Sequence, residues 1–178
     1  MKSRDNKIIA DSSFYICYLD DINEPDTLLE TMMTLEFVVT PIVETEIKKS
    51  HSYKIIRERY LMWSETYNFG EILRPFFNVE EINRGEHEVV GLAYKFYSFG
   101  EKFYFIIDDG EVRELVENNN KVLSGYMIGT AKFTGMCYCI FQIFTKTRVL
   151  ELLKKIENSK FRIKKKYIDA VRQYIGGC

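Results

Sequence analysis

The stretch FYFIIDDGEVR, Phe103 to Arg113, decides how the chain is read. Five bulky apolar residues, Phe103 to Ile107, run without alternation, the pattern of a strand buried on both faces. Two adjacent carboxylates, Asp108 and Asp109, stop the run, and Gly110 opens a helical pattern through Val112, Leu115 and Val116. In an open α/β sheet the carboxyl ends of parallel strands are where ligands bind. Two acids at such an end repel each other unless a cation, a proton or a basic group compensates. The rest of the chain must therefore show whether other acids converge there.

Working outward, the order strand, helices, strand, helices, strand, helix, strand, helix, strand predicts an α/β fold. It is a three-layer α/β/α arrangement around a parallel sheet of about five strands. Lys7–Ala10 is the first strand, with Ser12 and Ser13 as N-caps of a helix through Phe14, Cys17 and Tyr18. A second short helix covers Thr27 to Met33, and Glu36 to Val39 is the next strand. Thr40-Pro41 starts a helix, and Lys54 to Tyr67 reads as another. Glu71 to Val79, interrupted by Pro75, reads as an edge strand. Gly85 opens a helix to Tyr97. Asn118 to Asn120 is a turn and Lys121–Leu123 a further short strand. From Ile128 on the chain is mostly helical, with a break near Ser159.

At 178 residues and 46% hydrophobic content the chain fits one domain with a sizeable core. The net charge of −1 argues against a general polyanion binder. The charge is uneven, however: from Lys146 onward there are 10 Lys and Arg against 3 Asp and Glu, leaving 15 against 23 in the remainder. An acidic site beside a helical, basic C-terminal part is implied. The four cysteines, Cys17, Cys137, Cys139 and Cys178, form no C-x-x-C pair, and His51 and His87 are the two histidines. A zinc site or a disulfide framework is not expected, and a reducing cytoplasm is the simplest compartment. The start MKSRDNKIIADSS is no signal peptide, and Met136 to Phe144 is too short to span a bilayer.

Helical phase sorts the acids. From Pro41, Ile42, Val43 and Ile47 should face the core, and Glu46 shares their face, whereas Glu44 pairs outward with Lys48. After Gly85 the apolar stripe is Val89, Val90, Ala93 and Tyr97, and Glu86 heads it; a carboxylate there is costly without a partner. Glu88, three residues past Gly85, is placed to reach back to a helix N-terminus. Asp11, Glu46, Glu86, Asp108 and Asp109 thus all fall at strand ends or on the inward side of helix starts. Such a set suits a hard cation, Mg²⁺ or Mn²⁺, and phosphodiester hydrolysis. Taken singly, Asp11 and Asp109 read equally well as turn or cap residues.

These residues resemble a PIN domain, the metal-dependent ribonuclease fold of VapC-type toxins and related archaeal and bacterial proteins. The similar subfamily has a core reading G-E-x-E-A-I-x-L-A and then I-D-D-x-x-x-R. Gly85-Glu86-His87-Glu88-Val89-Val90-Gly91-Leu92-Ala93 and Ile107-Asp108-Asp109 followed by Arg113 carry it here. Ile8-Ile9-Ala10-Asp11 is similar to the family's opening strand, Thr40-Pro41-Ile42-Val43 with Glu46-Ile47 to its second acidic motif, and Phe161-Arg162-Ile163 to its C-terminal end. The resemblance implies a site of Asp11, Glu46, Glu86 and one of Asp108 or Asp109. Asp109 fits the last position best, and Asp108 is the alternative metal ligand. One departure is that Tyr126 follows Gly125 where the subfamily has Thr, and a Gly-Thr pair comes later at Gly129-Thr130, so no hydroxyl is assigned.

The expectation is then an endoribonuclease with one or two Mg²⁺ or Mn²⁺ ions, acting on RNA. Lys160, Arg162, Lys164, Lys165 and Lys166 would contact phosphate, although a solvated helix face explains them as well. Arg113 either contacts phosphate or offsets Asp108. A toxin would have an antitoxin and would dimerise. The alternative is a non-catalytic PIN-fold module that binds RNA or protein. A receiver-like protein would carry its acid pair near the first strand, the reverse of this order.

Overall fold

A computed structural model describes residues 6–63, 85–161 and 163–178. Its strands are β1 (Lys7–Ala10), β2 (Glu36–Val39), β3 (Leu61–Met62), β4 (Phe103–Ile106) and β5 (Met127–Ile128). All four pairings are parallel and the spatial order is β3-β2-β1-β4-β5. Helices flank this one sheet, as the three-layer expectation requires.

The two central strands explain themselves from sequence. Ile8, Ile9 and Ala10 of β1 and Phe103, Phe105 and Ile106 of β4 are all buried, so neither face reaches water. They pair in register, Ile9 with Phe105 and Ala10 with Ile106. The register brings Asp11, just past β1, alongside the end of β4, where its N–H donates to the Ile106 carbonyl at 3.1 Å.

Between β1 and β2 lie α1 (Ser12–Ile16), a π-helical turn (Cys17–Asp21) and α2 (Pro25–Thr34). Asp11, rather than Ser12 or Ser13, caps α1: its carboxylate accepts from the Phe14 N–H at 3.0 Å and the Ser13 hydroxyl at 2.8 Å. Tyr15 and Tyr18 serve the core, with the Tyr18 hydroxyl 2.8 Å from that of Thr134. Helix α3 (Pro41–Ile47) starts as expected at Thr40-Pro41.

Two elements differ from the sequence reading. The helix expected from Lys54 closes after one turn, α4 (Tyr53–Ile56), and the chain turns into β3, which extends the sheet beside Val38 and Val39. The remainder of that expected helix and the Glu71–Val79 strand lie outside the described residues. Lys121–Leu123 is no strand. It belongs to a short helix, α7 (Lys121–Ser124), which follows α5 (Gly85–Ser98) and α6 (Gly110–Asn119). Asn120 caps it, accepting from Leu123 N–H at 2.9 Å. A run with only two apolar residues, Val122 and Leu123, carries no periodicity to separate strand from helix, and the true strand, β5, comes four residues later.

The C-terminal part is α8 (Thr130–Cys139), α9 (Lys146–Asn158) and α10 (Lys165–Gly176). Helices α8 and α10 pack tightly at Gly135, where an added Cβ would stand 2.7 Å from Val171 Cγ1. Their far ends are joined by a disulfide, Cys139–Cys178. No disulfide framework was expected, and this one pair forms because residues 39 apart in sequence meet where two helices end together. Cys17 and Cys137 are buried thiols.

Candidate acidic site at the sheet switch point

The strand order places the chain's reversal between β1 and β4: it winds outward through β2 and β3, then returns to β4 and β5 on the other side of β1. The crevice beyond the carboxyl ends at such a switch point is the default ligand site of an open α/β sheet. Asp11 directly follows β1 and Asp108 lies two residues past the end of β4, so one acid from each central strand stands at this crevice.

Asp11 is 1% exposed. Burial, then the charge of Asp108, and more weakly that of Glu86, push its carboxyl well above the usual carboxylate range, against hydrogen bonds from Ser13 and the Phe14 N–H. The Asp108 N–H also reaches Asp11 Oδ2 at 3.5 Å. The Asp108 carboxylate receives the Thr130 N–H at 3.1 and 3.2 Å and the Thr130 hydroxyl at 2.5 Å. Burial still raises its pKa, although Thr130 and the Arg113 guanidinium pull it down. Two carboxylates facing each other in this way hold a proton or attract a cation.

Asp109 turns away from Asp108. Its Oδ1 accepts from the Glu111 and Val112 N–H groups at 2.9 and 3.0 Å, capping α6. The division of work between the two aspartates is therefore the reverse of the order preferred from sequence: Asp108 faces the crevice and Asp109 serves the helix start.

Glu46 lies against the start of α5: an added Cβ on Gly85 would stand 2.8 Å from Glu46 Oε2 and 3.1 Å from Val43 Cγ2, so a larger residue there would displace the Glu46 carboxylate. Glu86, the next residue, is half-buried and near enough to act on Asp11. Glu88 is buried and reaches a helix start, but that of α3 instead of its own, accepting from Ile42 N–H at 2.8 Å. Glu44, as expected, pairs outward with Lys48 at 2.7 Å.

Of the basic residues, Arg113 donates to the Ile107 carbonyl at 2.9 Å and offsets Asp108. Lys164 lines the same cavity as Asp108 and Arg113. Lys160 acts instead on Asp21. Lys165 and Lys166 are exposed at the start of α10, and Arg162 lies outside the described residues. Thr130 is the site residue that sequence reasoning left unassigned. Its signal was present, a Gly-Thr pair following a short apolar strand.

Among the described residues, no three His, Cys, Asp or Glu side chains are gathered into a metal-ligand set. What the crevice offers, among the described residues, is one buried and one half-buried carboxylate, Asp11 and Asp108, with the Thr130 hydroxyl beside the second. That donor chemistry fits Mg²⁺ or Mn²⁺, which is commonly held by one or two carboxylates with water and substrate oxygens completing the shell. Compared with known protein families, curated proteins and solved structures, the chain matches none. Among the described residues no helix is long and apolar enough to cross a membrane.

Proposed function

We propose that this chain is a metal-dependent nuclease of PIN-like architecture, an endoribonuclease hydrolysing RNA phosphodiesters. The observation that carries the reading is the Asp11–Asp108 pair at the switch point, one carboxyl buried and the other half-buried, both held above the ordinary carboxylate range. Asp11, Asp108 and Glu86 would hold Mg²⁺ or Mn²⁺, with Glu46 at the rim. When bound, the cation supplies charge stabilisation at the phosphate and eases ionisation of water. The protein's own part is positioning. Thr130 fixes the Asp108 carboxylate, Ser13 fixes that of Asp11, and the Ile107 carbonyl anchors Arg113. Glu86, half-buried at the mouth, takes the proton of the attacking water. Lys132 and Lys164 draw the polyanion toward an otherwise acidic mouth.

One observation favours a second reading, a module that binds RNA without cutting it: Asp11 and Asp108 already accept hydrogen bonds from the protein itself. As a toxin the chain would bind an antitoxin and form a homodimer, and we place it in the cytoplasm. In that reducing compartment Cys139–Cys178 would stand open, which thiol alkylation of protein taken from cells reads directly. The deciding experiment incubates purified protein with mixed RNA and Mn²⁺ beside Asp11→Asn and Glu86→Gln. Wild-type cleavage that stops in EDTA and in both variants supports the nuclease. Equal cleavage by all three sinks it, and RNA binding unchanged by EDTA with no cleavage selects the binding module.

A further inference from the structure

Beside the acid pair the chain encloses a cavity of about 420 Å³, within the usual range of small-ligand sites. Asp108 stands at one end, next to Gly110 and Arg113. Lys132 from α8 and Lys164 at the start of α10 make three cations against one carboxylate. Among the described residues no carboxylate pairs with either lysine, and the Lys132 ammonium lies over the Tyr174 ring, 2.9 Å from its centroid. Burial alone lowers the Lys132 ammonium below its ordinary range, as expected for a cation with no acid beside it. The floor is different in kind: Ala131, Ile163, Ala170 and Val171 are apolar, and the Tyr167 ring is 52% exposed, with the Lys166 ammonium 5.1 Å from its centroid. The helices that build this floor pack closely at Gly135, where an added Cβ would meet Val171, so the floor is held without the disulfide.

A strongly cationic end joined to an apolar, aromatic floor fits one class of small ligand, a phosphate carrying a flat base. We propose that this cavity is a nucleotide subsite, with the phosphate among Arg113, Lys132 and Lys164 and the base against Tyr167. It deepens the nuclease reading, on which its role with RNA rests, by assigning the nucleotide that flanks the cleaved bond. Base–aromatic stacking and phosphate contacts each contribute enough for separate detection.

The test is calorimetric titration of the full chain, in EDTA, with adenosine and uridine 5′-monophosphates, the two nucleosides and inorganic phosphate. A nucleoside monophosphate should bind at least about tenfold tighter than nucleoside or phosphate alone. Tyr167→Ala should weaken it about tenfold, Lys164→Ala should weaken it and flatten its salt dependence, and Ala170→Phe, which fills the cavity from an exposed position, should abolish it. Monophosphate binding no tighter than phosphate, or insensitive to both Tyr167→Ala and Ala170→Phe, overturns the subsite. RNA cleavage with Mn²⁺ separates the two readings: cleavage without monophosphate binding removes the subsite and keeps the nuclease, and binding without cleavage does the reverse.

Discussion

The molecule buries carboxylates in two opposite ways. At the switch point burial raises both Asp11 and Asp108, and the charge of Asp108 raises Asp11 further. Across the fold Glu24, 9% exposed before α2, accepts from Thr27 Oγ1 and Arg148 at 2.6 Å each and from Lys155. Burial raises Glu24 too, but Lys155, Thr27 and Arg148 outweigh it and hold the carboxyl below its usual range. One cluster contains its own cations and ties α2 to α9. The other has a surplus of negative charge that the fold does not neutralise. A buried charge is tolerated when paired and becomes a place for chemistry when its partner must come from outside.

That contrast can be broken most sharply by removing one acid from each cluster. Asp11→Asn and Asp108→Asn should each lower RNA cleavage by about 10²–10³-fold, the scale of losing an electrostatic contact at a reacting charge. Neither should lower the melting temperature at pH 8, since each removes a repulsion; a large drop would make the pair structural. Glu24→Gln should do the opposite, costing about 2 kcal/mol with cleavage kept. The loss stays below that of a fully buried pair because the Arg148 and Lys155 side chains are 37% and 49% exposed. It should appear as a melting point lower by about 4–8 °C.

pH sharpens the same comparison with a smaller effect. Asp11 has a folded pKa raised from 3.8 to about 8, so its contribution is complete below about 4 and is lost as pH rises toward 8. Glu24, lowered from 4.5, contributes above that value and loses its contribution as pH falls through the depressed folded pKa. In EDTA, melting curves of Asp11→Asn should lose the decline between pH 4 and 8, and those of Glu24→Gln the fall below pH 4.5. Mn²⁺ should raise the wild-type melting point more at pH 8 than at pH 5, because a cation competes with the shared proton. Equal stabilisation at both pH values would mean that the ion binds elsewhere. The smallest expected effect is that of Asp109→Ala, about 1 kcal/mol for a lost N-cap with cleavage intact. A cleavage loss as large as that of Asp108→Asn would return Asp109 to the site.

How much of this was readable from the chain depends on the range of the forces involved. The unbroken apolar runs Ile8–Ala10 and Phe103–Ile107 announced buried parallel strands, and Thr40-Pro41 announced a helix start, because burial and capping act over neighbouring residues. Lys121–Leu123 misled because two adjacent apolar residues, Val122 and Leu123, satisfy either period. Glu88 did cap a helix, but the sequence could not say which, since α3 and α5 meet only in the folded chain. The Cys139–Cys178 pair was invisible for the same reason.

The acid pair with which the sequence reading began shows the boundary most clearly. Two adjacent aspartates after a buried strand determined that one carboxylate would lie at the sheet's carboxyl edge. Successive residues leave a strand in opposite directions, so only one could face the crevice. Which one was settled by groups far away in sequence: Asp11 across the β1–β4 pairing, and Thr130, whose N–H and hydroxyl turn Asp108 inward. Local sequence determined that acids would gather, because strand ends and helix starts are local features. The tertiary structure decided which acids lack a cation, because charge compensation depends on distance through space.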